Sequence, residues 1–222
     1  MNQNLLNRPV DIGTFKDIVQ YYTKVAVCGR QYVLVDSLTR WLKGGSPTTH
    51  ADKLLAAVYQ SRKDPGDPIP SEKLKGCLLV FSILLVLGRG DLIHAFRRVQ
   101  IDDRHLPISL QTLQTRISKM ELCRKDEDEL SAKFNETQWR FCPVKFDLDM
   151  DRECVPDEIM PICRKKNVND KGGTSGVWII EVYDEFVATE LRSVVPHSKY
   201  QLSDEQNHWV LASHLAFSQI YT

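Results

Sequence analysis

Residues 74–87 restrict the possible folds more than any other stretch. Leu74, Cys77, Leu78, Leu79, Val80, Phe81, Ile83, Leu84, Leu85, Val86 and Leu87 make a helical projection apolar almost all round, interrupted from Cys77 onward only by Ser82. Such a helix cannot lie on a surface, so others must enclose it. Its apolar core runs from Cys77 to Leu87, well short of the roughly 20 residues that cross a bilayer. A buried central helix is therefore expected, and no membrane partner.

Amphipathic helices able to enclose it flank it on both sides. Residues 14–27 carry Phe15, Ile18, Val19 and Tyr22 at helical spacing, with Thr14 as N-cap and Gly29 as stop. Residues 36–43 form a second helix between a capping Asp36 and Gly44–Gly45, with Tyr32 to Val35 as a short bridge into it. Thr49 with Asp52 three places on opens a third helix over 51–62, with Leu54, Leu55, Val58 and Tyr59 as its apolar stripe. Prolines and glycine make 64–70 a rigid turn, and Ser71 starts the central helix. After Gly88-Arg89-Gly90, Asp91 caps a helix that turns Leu92, Ile93, Ala95, Phe96 and Val99 inward. The tripeptide Arg89-Gly90-Asp91 reads as an interhelical turn and not as an adhesion motif. Residues 102–107 are a polar loop, and two further helices follow over 109–121 and 126–138, the second with an acidic first turn.

Near Trp139 the pattern changes. Trp139 to Asp147 alternates bulky and polar residues as a strand does, which places a domain boundary close to Gln138: a helical domain over 1–138 and a β-containing segment over 139–222. The fold class is therefore α+β. Two β-leaning runs, Ile159 to Cys163 and Val177 to Val182, flank Asn169-Asp170-Lys171-Gly172-Gly173-Thr174-Ser175-Gly176, so a glycine-rich hairpin is expected over about 159–183. Residues 184–195 read as a short helix and 196–207 as an exposed polar loop. Trp209 to Phe217 suits either strand or helix.

Charge excludes some partners. The chain holds 29 basic and 29 acidic side chains, 20 and 16 of them in 1–138 and 9 and 13 in 139–222, so no whole-molecule field draws it to nucleic acid. The cysteines Cys28, Cys77, Cys123, Cys142, Cys154 and Cys163 have no metal-ligand spacing and no neighbouring histidine; they read as reduced thiols. With no signal-peptide pattern at the N-terminus, an intracellular protein of cytoplasm or nucleus is expected. Cys163 beside Arg164-Lys165-Lys166 reads as a structural thiol, and the basic triplet as a solvated strand end. His50, His94, His105, His197, His208 and His214 are spread singly, as surface or packing residues.

A glycine-rich hairpin is also how a protein kinase covers the phosphates of ATP, with backbone N–H groups close to the anion. If Val177 takes the Val of Gly-x-Gly-x-x-Gly-x-Val, the glycine places fall on Asp170, Gly172 and Ser175. Only the middle one is glycine, so spacing alone favours a plain tight turn. Lys171, Gly172, Gly173, Thr174 and Val177 are the candidate ATP-loop residues; residues 102–105 reverse the kinase His-Arg-Asp order and read as a loop.

Several motifs in order point further. Trp139-Arg140-Phe141-Cys142-Pro143-Val144-Lys145-Phe146, Pro161-Ile162-Cys163-Arg164-Lys165, Asn169-Asp170-Lys171-Gly172-Gly173-Thr174 and Glu185-Phe186-Val187, with residues 85–96 and 103–107 upstream, resemble a group of fungal protein-kinase-like proteins over most of 71–200. The resemblance implies a helical region before a kinase N-lobe, with the Lys-Gly-Gly-Thr turn at its ATP-covering loop, then an inserted segment and an Ala-x-Lys strand. The chain departs at that strand, because Ser213 and His214 follow Val210-Leu211-Ala212. Catalytic loop and metal-binding motifs are not found, and the 84 residues 139–222 are too few for a kinase domain. The expectation is a fragment or decayed member, not an enzyme as it stands, working as an interaction or regulatory module with a protein partner. The alternative is a truncated ATP-binding serine/threonine kinase, the one case in which ATP and magnesium would serve as cofactors; no catalytic or metal residues are assigned.

Overall fold

The computed structural model describes residues 8–60, 74–148, 155–167, 178–194, 199–200 and 208–213. They form an α+β fold, mostly helical, that divides into two compact units. Among the described residues the first unit takes those up to Tyr22 and 34–141, and the second takes Thr23–Val33 and everything from Cys142 onward. The chain therefore leaves the first unit, contributes a short piece to the second, and returns.

In the helical unit, α1 spans Ile12–Tyr22, α2 Val35–Lys43, α3 His50–Gln60, α4 Leu78–Val86, α5 Ile93–Arg98, α6 Leu110–Ile117 and α7 Arg124–Phe141. The central apolar stretch is α4, with Val80, Phe81, Ser82, Ile83, Leu84 and Leu85 all buried. It is shorter than expected. Leu74 lies in a 3-10 turn and Gly76 takes a positive φ of 80°, so the regular helix starts only at Leu78; Ser71 and the 64–70 turn lie outside the described residues. The expected capping box of α3 is present. Asp52 accepts from the Thr49 backbone N–H at 3.0 Å, and Thr49 Oγ1 accepts from the Asp52 N–H at 3.1 Å.

Local signals misplace three caps. Helix α1 starts before Thr14 and is capped by Asp11, whose Oδ1 accepts from the Thr14 N–H at 2.7 Å, while Thr14 Oγ1 donates to the Pro9 carbonyl. Helix α2 starts after Leu34 without a side-chain cap, leaving Asp36 inside its first turn. Asp91 lies within a 3-10 turn, Gly90–Leu92, that leads into α5 without capping it. Gly90 is buried in that corner: a Cβ there would stand 2.7 Å from Leu85 Cδ2 and 3.1 Å from Val58 Cγ2. The tripeptide thus forms the turn between α4 and α5.

Helix α7 runs through residues read as the start of a strand. Leu130, Phe134, Gln138 and Phe141 are buried at spacings of four, four and three, so Trp139 to Phe141 continue the helix. A bulky-polar alternation of so few residues fits either period, and packing selects the helical one.

The second unit is built of sheet. Strands β1 (Thr23–Val25) and β2 (Gln31–Val33) form an antiparallel hairpin where the sequence suggested the end of a helix and a bridge; Gly29 turns it with a φ of 83°. Strands β3 (Ile162–Asn167), β4 (Trp178–Tyr183), β5 (Lys199–Tyr200) and β6 (His208–Ser213) form a second sheet in the order β3-β4-β6-β5, each neighbouring pair antiparallel. Helix α8 (Thr189–Val194) follows a 3-10 turn, Asp184–Phe186. The terminal apolar run is thus strand over its described part. The core holds Tyr32, Ile159, Ile162, Ile180, Val182 and Phe186, with the Tyr32 and Phe186 rings edge to face at 5.5 Å. No helix among the described residues is long and apolar enough to cross a membrane.

Candidate functional site

The candidate ATP-loop residues Lys171, Gly172, Gly173, Thr174 and Val177 lie outside the described residues, and the strands on either side define their setting. Strands β3 and β4 pair from Ile162 opposite Val182 to Asn167 opposite Trp178, with one irregularity between Ile162 and Arg164. Alternation in β4 buries Ile180 and Val182 and sets Ile179 and Glu181 on the other face. The glycine-rich stretch therefore connects two hydrogen-bonded antiparallel strands.

Strand β6 completes the setting. It runs along the other edge of β4, with Ala212 opposite Ile179 and Ser213 opposite Trp178. Asn167, Trp178 and Ser213 accordingly stand in one row across the sheet, at the end where the glycine-rich stretch leaves β3 and enters β4. His214, next in sequence, lies outside the described residues.

The side chains of β3 are solvated from Arg164 to Asn167, as expected of the basic triplet. Arg164 Nε lies 3.8 Å from Glu181 Oε2, and the Lys165 ammonium stands 5.2 Å from the centroid of the Trp178 ring. Cys163 is half-buried, and its thiol donates to the Glu181 carbonyl at 3.0 Å. Burial first, then the Glu181 charge, pushes that thiol up to about 11. It is therefore protonated at neutral pH, which fits the structural thiol expected here.

Comparison with protein-family models, with curated proteins and with solved structures finds no match.

Three of the histidines, His50, His94 and His105, divide between packing and local pairing. His50 packs on Trp41 with ring centroids 4.5 Å apart, its imidazole pKa lowered by burial, and His94 packs on Tyr59 at 5.4 Å. His105 Nδ1 lies 2.8 Å from Asp102 Oδ1 within the 102–105 turn. No group of three or more His, Cys, Asp or Glu among the described residues could hold a metal ion.

Sequence reasoning overlooked the β1–β2 hairpin in this unit. The Arg30 guanidinium donates to three successive carbonyls, those of Pro156 at 2.8 Å, Asp157 at 2.6 Å and Glu158 at 3.1 Å, and so clamps the approach to β3. The Val27 N–H donates to the Ile162 carbonyl at 2.9 Å, and the Lys24 ammonium stands 5.7 Å from the centroid of the Tyr183 ring. A signal existed in the alternating Thr23, Val25 and Val27 before Gly29. The helical spacing just ahead of it masked the change of period.

Proposed function

We propose that the chain is a non-catalytic interaction or regulatory module related to the fungal protein-kinase-like group, in which a helical unit accompanies the opening strands of a kinase-type N-lobe. The observation that supports this reading is the row Asn167, Trp178 and Ser213 across one end of the β3-β4-β6 sheet. In kinases the phosphate-covering loop joins two strands, and the lysine that holds the α- and β-phosphates stands on the third. Here the third strand leads into Ser213 and His214, which do not bring the permanent ammonium charge of lysine. Phosphoryl transfer draws nearly all its rate from such fixed charges and positioning, so this sheet suits binding and not turnover. The proposed partner is another protein.

The decisive assay incubates the purified chain with magnesium, γ-labelled ATP and a generic protein substrate. No label above background is expected. Turnover approaching about 1 per second, the lower end for kinases, overturns the reading. Thermal melts with and without Mg-ATP report separately on nucleotide: a higher melting temperature without transfer marks a module that has kept its nucleotide contact.

A further inference from the structure

We propose that the helical unit carries a binding site for a small phosphorylated ligand, in the cavity lined by Lys75, Arg97, Gln100, Asp102, Arg104 and His105. The site lies wholly within that unit and does not depend on the kinase-like reading. At roughly 420 Å³ the cavity is in the range that takes small organic ligands.

Its walls are tied together by one residue. Asp103 Oδ1 accepts from the Leu79 and Val80 N–H groups at 3.0 Å each, and the Asp103 N–H donates to the Gly76 carbonyl at 2.8 Å. The 3-10 turn Asp103–His105 is thereby fastened to the start of α4, beside Lys75 and Cys77. On the rim, Asp102 holds its neighbours in place. Its Oδ2 accepts from Arg104 Nη2 at 2.7 Å and Nε at 3.2 Å, and its Oδ1 lies 2.8 Å from His105 Nδ1.

Charge then decides the ligand class. Asp102 is the carboxylate lining the cavity, and Arg104 offsets it; the Asp103 carboxylate, close enough to act on Cys77, is bonded to the Leu79 and Val80 N–H groups. Lys75 and Arg97 line the same space with no carboxylate paired to either among the described residues, and Arg97 hydrogen-bonds the Cys77 thiol. The Cys77 thiol, raised to about 11 by burial, remains neutral and contributes no opposing charge. Cations with Arg donors and a carboxamide suit a group with several anionic oxygens, which phosphate supplies.

Gln100 supplies an independent observation. Helices α4 and α5 end in the same way: Arg89 N–H donates to the Leu84 carbonyl and Gly88 N–H to Leu85, while Ile101 N–H donates to Phe96 and Gln100 N–H to Arg97. Each of these ends requires a left-handed residue. At α4 it is Gly88, with φ 70°; at α5 it is Gln100, with φ 60°, an exposed residue that lines the cavity. Glycine would serve that backbone better, and a carboxamide that reaches the bound ligand would offset that cost.

The test is calorimetric titration of the full chain with inorganic pyrophosphate, without magnesium and at constant ionic strength. One saturable site is expected, weakened about tenfold or more by Lys75→Ala and by Arg97→Ala, the scale for losing a charged hydrogen bond. Thermal melts of both variants verify that they are folded. Gln100→Gly gives a readout that misfolding cannot imitate, because it should raise the melting temperature while weakening binding several-fold. Absence of saturable heat at millimolar pyrophosphate overturns the inference, as does equal affinity in the wild type and the two alanine variants. A Gln100→Gly protein that is more stable but binds as tightly as the wild type also counts against it.

Discussion

Gln138 shows how far a residue's role can lie from its sequence neighbourhood. Its side chain is 0% exposed, and it pairs with the backbone of Ile108 as a strand would: Oε1 accepts the Ile108 N–H and Nε2 donates to the Ile108 carbonyl, both at 2.8 Å. Nε2 also donates to Asn135 Oδ1 at 3.0 Å. Leucine at this place would fill similar space and leave both Ile108 groups buried and unpaired. Gln138→Leu should therefore lower unfolding free energy by about 2–4 kcal/mol, read from the denaturant midpoint at unchanged slope. The Thr49–Asp52 box could be read directly because both partners sit within one turn. The Gln138 pairing could not, because its partner is 30 positions away.

At the scale of elements, the adjacent carboxylates Asp102 and Asp103 do opposite things in one 3-10 turn. The Arg104 hydrogen bonds hold Asp102 down at about 2, while burial raises Asp103 above the usual carboxylate range even though it caps α4. The signs follow from proton counts. Between pH 2 and the ordinary carboxylate value the unfolded chain protonates Asp102 and the folded chain does not, so stability from that group rises with pH and is lost toward pH 2. Above the ordinary value the folded chain keeps the Asp103 proton longer, so its contribution is full at lower pH and falls as pH rises through the raised pKa. Urea titrations from pH 2 to 6 should show a shallower acid-side rise for Asp102→Asn, and for Asp103→Asn no decline above the ordinary carboxylate range. If both variants changed the profile in the same direction, this assignment would be wrong. Elements with a strong apolar stripe, such as α3 and α6, were readable from their spacing, and α4 from being apolar all round. The end of α1 and the continuation of α7 were not, because a few alternating residues satisfy two periods until neighbours bury one face.

For the whole molecule, the consequential feature is that Thr23–Val33 belongs with the residues after Cys142, although helices flank it on both sides in the chain. The Arg30 clamp makes that membership testable. Arg30→Ala removes hydrogen bonds from three carbonyls and should cost about 1–3 kcal/mol, allowing for their partial exposure. Hydrogen exchange should accelerate in the β3 and β4 amides and stay slow in α4. Equal loss of protection in α4 would refute the placement. The sequence by itself determined the α+β class, the enclosed central helix, the helix stripes and the paired strands around the glycine-rich stretch. Each of these follows from periodicity and composition within a short window. Tertiary structure alone decided the two-unit path of the chain, the Arg30 clamp, the Asp103 cap and the cations that meet in one cavity. Those depend on groups far apart in sequence, brought together when burial leaves backbone and charge to be satisfied by whatever lies alongside.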